Sequence, residues 1–207
     1  MKNIKIIASS FFLASALAFI SANALAKTQG NSVNFNLSSN NVIHEYFNHI
    51  GVSTSTPNFT DSKPGFGFSY KYSFNINDFF VRPGAFFDHL GLKSQDIDGD
   101  SVSINQRYGT TIDLGYDFSE KSAIYLTAGI ANVDYNINFK SEKSNKSGMK
   151  IAPIYGIGFL FYPKEDIVIN FEYNHQSFDL KAQGNGSSIA NIDSKINSFK
   201  IGFGYQF

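Results

Sequence analysis

The sequence predicts an all-β fold: an eight-stranded antiparallel up-and-down transmembrane β-barrel that follows an N-terminal signal peptide. Three observations lead there. Aromatic residues closing a strand recur roughly every 44 positions, at Phe74, Phe118, Phe161-Tyr162 and Phe207. Apolar and polar residues alternate with the period of two that a half-buried strand requires. Connections alternate between short and long, as they do when hairpins share one short-turn end and one long-loop end.

The N-terminus comes first. Met1-Lys2-Asn3-Ile4-Lys5 is basic, Ile6 to Ile20 is mostly apolar, and Ala24-Leu25-Ala26 has the small-x-small form of a cleavage site. Residues 1–26 therefore read as a secretory signal peptide, and residues 27–207 as one barrel domain. A spanning helix needs about 20 apolar residues, more than this stretch offers. The 207-residue chain has no cysteine, so no disulfide frames the exported domain. Setting Lys2 and Lys5 aside takes the 17 basic residues to 15 against 17 acidic, which gives no bulk charge for nucleic acid.

The strands follow in order. A first, Asn-rich strand carries Val33, Phe35 and Leu37 on one face. The second opposes Phe66, Phe68, Tyr70, Tyr72 and Phe74 to Gly67, Ser69, Lys71 and Ser73. The third (79–92) and fifth (123–139) alternate less cleanly, with a bulge expected at residues 127–129. The fourth sets Tyr108, Thr110, Ile112, Leu114, Tyr116 and Phe118 against Thr111, Asp113, Gly115 and Asp117. The sixth carries Ile151, Pro153, Tyr155, Ile157, Phe159 and Phe161 on one face. The seventh opposes Ile167, Ile169, Phe171 and Tyr173 to Asn170, Glu172 and Asn174, and the eighth aligns Phe199, Ile201, Phe203, Tyr205 and Phe207. Four-residue turns are expected at residues 75–78, 119–122 and 163–166, and long loops at 38–63, 93–107, 140–148 and 181–195. Tyr135, Ile137 and Phe139 are expected to carry the fifth strand out above the membrane as an exposed edge.

Charge decides which face meets lipid. Lys71, Arg82, Asp88, Asp113, Asp117, Asp134, Lys150, Glu172 and Lys200 are all placed opposite the aromatic face. A Lys or Arg turned to lipid costs roughly 2–4 kcal/mol at mid-membrane, so the aromatic face points outward. The small, charge-balanced face then fills a narrow lumen. Lys71, Arg82, Asp113, Glu172 and Lys200 are expected to form an interior ion-pair network with a structural role.

The last strand, from Lys200 through Gly202 and Tyr205 to Phe207, resembles the C-terminal signal by which bacterial outer-membrane barrels are recognised for assembly. With the signal peptide, eight strands and projecting sheet, the chain resembles the OmpA/OmpX/Ail class of small outer-membrane barrels. Its Asn-, Ile-, Lys- and Phe-rich composition is similar to that of small rickettsial-type surface adhesins. The resemblance implies outer-membrane localisation, contact with membrane lipid and lipopolysaccharide, and delivery by the barrel assembly machinery. Members act mainly as adhesins, complement-evasion factors or structural proteins. It thus implies a non-enzymatic adhesin that meets host-surface, matrix or serum proteins; the alternatives are a structural or small-solute-permeable barrel and, more remotely, a lipid A deacylase-like enzyme.

Candidate partner-binding residues are the aromatic and imidazole cluster His44, Tyr46, Phe47 and His49, the basic loop Lys140, Lys143 and Lys146, and the strand extension at Tyr135 and Ile137. Asp96, Asp98 and Asp100 alternate like Ca²⁺ ligands, but the sixth and twelfth positions are Ser101 and Arg107 rather than Gly and Glu. The His44–Glu45–His49 spacing matches no metal site, and no cofactor is expected. His175-Gln176-Ser177 resembles part of the His-x-Ser-Asn motif of barrel-type lipid A deacylases. Phe178 stands where that motif has Asn, so the pair is expected to sit at the headgroup boundary without a catalytic role.

Overall fold

The computed structural model describes residues 30–48, 59–95, 100–139, 144–183 and 189–207. Eight strands follow one another: β1 (Gly30–Asn48), β2 (Phe59–Ile76), β3 (Phe79–Gln95), β4 (Ser101–Ser119), β5 (Ser122–Phe139), β6 (Ser144–Lys164), β7 (Ile167–Gln183) and β8 (Ile189–Gln206). Each pairs antiparallel with its sequence neighbours, and β8 pairs with β1 to close the ring. Phe207 completes the closure at the lower end, exchanging backbone bonds of 2.8 Å with Asn31 in both directions.

Lower turns are tighter than expected, two residues each, at Asn77-Asp78, Glu120-Lys121 and Glu165-Asp166. Asn77 supplies the left-handed conformation (φ 56°) that a two-residue hairpin needs to match strand twist. No irregularity falls at residues 127–129, where β5 stays in register with both neighbours. Register shifts lie instead at His89/Leu92, Ile104/Gln106, Asp117/Ser119 and Phe161/Lys164.

Strands of 17–21 residues exceed the 9–11 that a tilted strand needs to cross hydrocarbon. Over the lower part the outward face is apolar, as at Phe66, Phe68 and Phe74, Ile112, Leu114 and Phe118, or Phe199, Phe203 and Tyr205. Above Leu37, Phe66, Tyr108, Tyr173 and Phe199 the arrangement inverts. Outward positions become Ser39, Pro64, Gln106, His175 and Asn197, while Val42, Ile104, Phe178, Leu180, Ile192 and Ile196 turn inward and are fully or nearly buried. At roughly 3.3 Å per residue, this upper part stands roughly 20 Å clear of the lipid band.

The upper part is no longer a closed ring. Pairing of β2 with β3 ends at Phe66↔His89, and that of β6 with β7 ends at Ile154↔Gln176. Above those points β7, β8, β1 and β2 stay paired with one another, up to Gln183↔Ile189, Asn48↔Ala190 and His44↔Phe59. The other four do likewise, up to Gln95↔Ser101, Ser101↔Asn138 and Phe139↔Ser144. Two four-stranded sheets therefore face each other over an apolar core. Val42, Phe178, Leu180, Ile192 and Ile196 come from one side; Leu90, Leu92, Val102, Ile104, Val133, Ile137 and Ala152 come from the other. This head occupies much of what the sequence reading assigns to loops. Its apolar side chains lie on the opposite face from those below, so the outward apolar pattern stops there.

Candidate functional site

From bottom to top the lumen is filled in three layers. The lowest is apolar: Phe80, Ala123, Tyr125, Leu160, Tyr162 and Val168. Glycines let the rings lie flat across it. The Phe80 ring covers Gly115 and the Tyr125 ring covers Gly158, each so close that a Cβ on the glycine would sit 2.1 Å from the ring.

The middle layer is ionic. Arg82 and Lys71 each reach Asp113 at 2.7 Å, and Lys71 also lies 3.4 Å from Glu172. Glu172 is 3.8 Å from Lys200, which contacts Asp88 at 2.8 Å; Asp88 in turn holds Arg107 at 2.9 Å. Among the described residues this is one run of seven alternating charges across the lumen, with a guanidinium at each end. All are buried. Tyr125 and Asn174 each donate to Glu172 at 2.8 Å, and Arg107 donates to Ser198 at 3.1 Å. Four cations face three carboxylates, and ring faces meet the excess: Arg82 lies 4.8 Å from the Tyr125 centroid, Lys200 5.1 Å from Phe86.

The five residues expected to pair inside are thus brought together, with Asp88 linking Lys200 to a member the sequence reading missed. Arg107 was assigned to a loop because it sits where apolar residues change face. Asp134 is a correction. Pairing puts it on the outward side of β5, where Gln106 donates to it at 3.3 Å, because β5 keeps odd-numbered residues inside. Lys71, Arg82, Asn34, Asn170 and Lys200 border a cavity of about 20 Å³. That is room for a water or two.

The head is the third layer and the candidate site for contacts outside the cell. Here two of the expected partner-binding side chains are corrected. His44 and Ile137 are fully buried inside the head, and Tyr135 packs partly buried against the same core. Nor is β5 an edge, since it pairs with β4 and β6 up to Asn138 and Phe139. Tyr46 and Phe47 belong to β1, opposite Ile192 and Asn191. His49, Lys140 and Lys143 lie outside the described residues. Lys146 is exposed on β6 and donates to the Lys181 carbonyl at 2.9 Å.

His44 Nδ1 lies 2.8 Å from Ser194 Oγ, whereas Nε2 is buried without a hydrogen-bond partner. Burial lowers its pKa from 6.5 to about 4. Glu45, next along β1, faces outward, so His44 and Glu45 cannot converge on one ion; no group of three metal-ligating side chains occurs among the described residues. Of the Asp96–Asp98–Asp100 pattern only Asp100 is described. Outside, Asp179, Asp193 and Glu45 are cross-strand neighbours. Burial and a hydrogen bond with Asp179, with the charges of Asp179 and Glu45, push Asp193 up; Glu45, 2.8 Å from Lys195, raises Lys195.

His175 and Ser177 share the outward face of β7. His175 Nδ1 is engaged by Asn197 Oδ1 at 2.7 Å, which also accepts from Tyr173 at 2.8 Å, and its ring lies 5.3 Å from that of Tyr155. An amide and two tyrosines at the lipid boundary surround this imidazole, in place of the acidic residue a triad uses to orient its base.

Residues 12–207 match the outer membrane protein beta-barrel domain. The chain belongs to that family. It is an outer-membrane β-barrel protein, which crosses the bacterial outer membrane with strands. No curated protein matches it in sequence. Among solved structures it is similar to OprG of Pseudomonas aeruginosa, at 15% identity and TM-score 0.60, covering 88% of this chain and 98% of that one. It is also similar to AlkL in lipid bilayers, at 17% identity and TM-score 0.57, covering 90% and 94%. A looser likeness, TM-score 0.48 at 19% identity, covering 86% and 99%, is to Ail, the attachment invasion locus protein of Yersinia pestis, solved with a heparin analogue. At these identities the likeness is one of fold.

Proposed function

We propose that this outer-membrane barrel is a surface adhesin whose binding part is the two-sheet head. The observation that carries the reading is the pairing of a filled lumen with a folded head that turns polar side chains outward. A lumen closed by an apolar layer, an ionic layer and a second apolar core offers no continuous path for a solute. Strand length spent above the membrane therefore serves display rather than passage. The outward faces carry Asp179, Lys181, Asp193, Lys195 and Glu45 on one sheet and Asn132, Asp134, Asn136 and Lys93 on the other. Such surfaces suit protein recognition with electrostatic selection. The partner class is host-surface, matrix or serum protein.

The test is adherence of cells displaying the barrel to host cells and to immobilised serum and matrix proteins. A variant in which residues 40–62, 90–105, 134–152 and 177–196 are replaced by short turns keeps the membrane part alone. Adherence that needs the head, and survives His175→Ala with Ser177→Ala, supports an adhesin. Equal adherence with and without the head removes the reading and leaves a structural barrel. Release of fatty acid from lipopolysaccharide, lost in the His175 and Ser177 variants, would replace it with the enzyme.

A further inference from the structure

The adhesin reading leaves open where on the head a partner attaches, and the seam between β6 and β7 has features that answer this. Beyond Ile154↔Gln176, residues 144–153 of β6 pair only with β5, and residues 177–183 of β7 pair only with β8. Each lip keeps a row of backbone groups directed at the seam. Side chains bridge it sparsely: Gln176 donates to the Ala152 carbonyl at 3.3 Å at its base, and Lys146 to the Lys181 carbonyl higher up.

The β6 lip breaks the polarity rule that its neighbours obey. Its neighbours have turned polar on the outward face: Asn132 pairs with Ile151, Asp134 with Met149, and β7 continues past Tyr173 as His175, Ser177 and Asp179. Yet Ile151 is 65% exposed and Met149 50%, and Pro153 below them is exposed as well. Lys150 and Lys146 follow the inward phase of Ala152 and Ile154, but at the sheet margin they are half-exposed and exposed, and Lys181 is exposed on the facing lip. An open backbone edge, an apolar outward stripe and two cations thus coincide on one short segment, with a third cation on the facing lip.

We propose that the β6 lip between Asn145 and Ala152 is a docking edge for an extended partner segment that alternates apolar and acidic residues. The segment adds as a strand: its backbone bonds to the free edge, its apolar side chains cover Met149 and Ile151, and its carboxylates meet Lys146 and Lys150. The same features set selectivity. Pro153 lacks an N–H and ends the ladder below, and lysines in inward phase repel a strand without acidic side chains, as guarded edges do. The proposal rests on the adhesin reading for its biological partner, whereas the edge itself is testable alone.

The probe is a capped octapeptide alternating valine and glutamate, with a valine–lysine counterpart, titrated by fluorescence anisotropy against the full-length protein in lipid nanodiscs. The glutamate peptide is expected to bind at least tenfold more tightly. Met149→Ser with Ile151→Ser should weaken it at least tenfold, and Lys146→Glu with Lys150→Glu should reverse the preference; unchanged heat-modifiability shows that both variants fold. A strand added to one lip uses alternate N–H groups, so N-methylation of alternate peptide residues should abolish binding in one frame and spare it in the other. Indifference to N-methylation in both frames, equal binding by both variants, or no binding of either peptide overturns the docking edge. Normal adherence of cells carrying Met149→Ser with Ile151→Ser also rejects it while leaving the adhesin reading intact. Frame-dependent binding by a protein whose cells do not adhere rejects the adhesin reading and leaves the edge standing.

Discussion

Acidifying the medium from pH 7 to pH 4 should loosen the head while leaving the membrane part untouched. The agent is His44, fully buried between the two sheets with one ring nitrogen on Ser194 and the other unpaired. Its folded pKa of about 4 lies below the 6.5 of an unburied imidazole. Between those values the opened head takes up a proton that the closed head refuses, so stability falls as pH falls through that window. The contribution is full above pH 6.5 and gone below 4. The separation corresponds to about 3 kcal/mol, or roughly three hundredfold in the open fraction once both titrations are complete. Asp193, whose pKa is raised, works in the opposite sense: it favours the closed head while protonated and loses that contribution as pH rises through its folded value. Amide hydrogen exchange on nanodisc-embedded protein, corrected for intrinsic rates, reads the opening directly. Protection in the upper halves of β1 and β8 should drop across that window, while the β4 segment around Asp113 keeps its protection. His44→Leu with Ser194→Ala removes the imidazole without orphaning the hydroxyl and should flatten the dependence. An unchanged pH slope in that double variant, or none in the wild type, would refute the reasoning.

Three further outcomes are expected. Asp113→Asn leaves Arg82 and Lys71 without the carboxylate both contact and should cost about 3–5 kcal/mol by urea titration of the refolded barrel, against under about 0.5 kcal/mol for the outward Asp134→Asn; equal midpoints for the two would mean that the ionic layer is hydrated. In double-mutant cycles Glu172 should couple to Lys71 and Lys200 but be near-additive with Arg82, which it does not contact. Deleting Phe207 removes the residue that closes β8 onto Asn31, and folded, heat-modifiable protein in outer-membrane fractions should be lost; undiminished yield would count against a role in assembly.

How much of this was legible in the sequence depended on which way apolar residues faced. In the membrane part the rule is simple, and rows such as Phe66–Phe74 or Phe199–Phe207 state both the strand and its lipid side. Lys71, Asp113 and Glu172 followed as interior from the cost of placing charge in lipid. Above the boundary the same period of two continues with its sign reversed. Val42 and His44, or Phe178 and Leu180, then look like a broken pattern rather than a continued one, so head strands read as loops and inward residues such as His44 and Ile137 as exposed. Arg107 keeps the inward phase of Thr111 and Asp113 but sits just below the register shift at Ile104/Gln106, where the outward apolar row has already ended. The signal that would have found the head was present in Ile192 and Ile196, spaced as strand neighbours but out of phase with Phe199 and Ile201. Which strands would part company was not readable, because it depends on register around the whole ring.

The reversal of polarity also works as a waterline. If the barrel rode deeper, Ser39, Gln106, Asn132 and Asn197 would enter hydrocarbon with their hydrogen-bonding groups stripped of water. If it rode higher, the aromatic rows ending at Phe66, Tyr108 and Phe199 would surface into solvent. Both displacements cost free energy, so the molecule floats at a fixed draught. The head is then held at constant height over the hydrocarbon, and whatever meets it must reach that level.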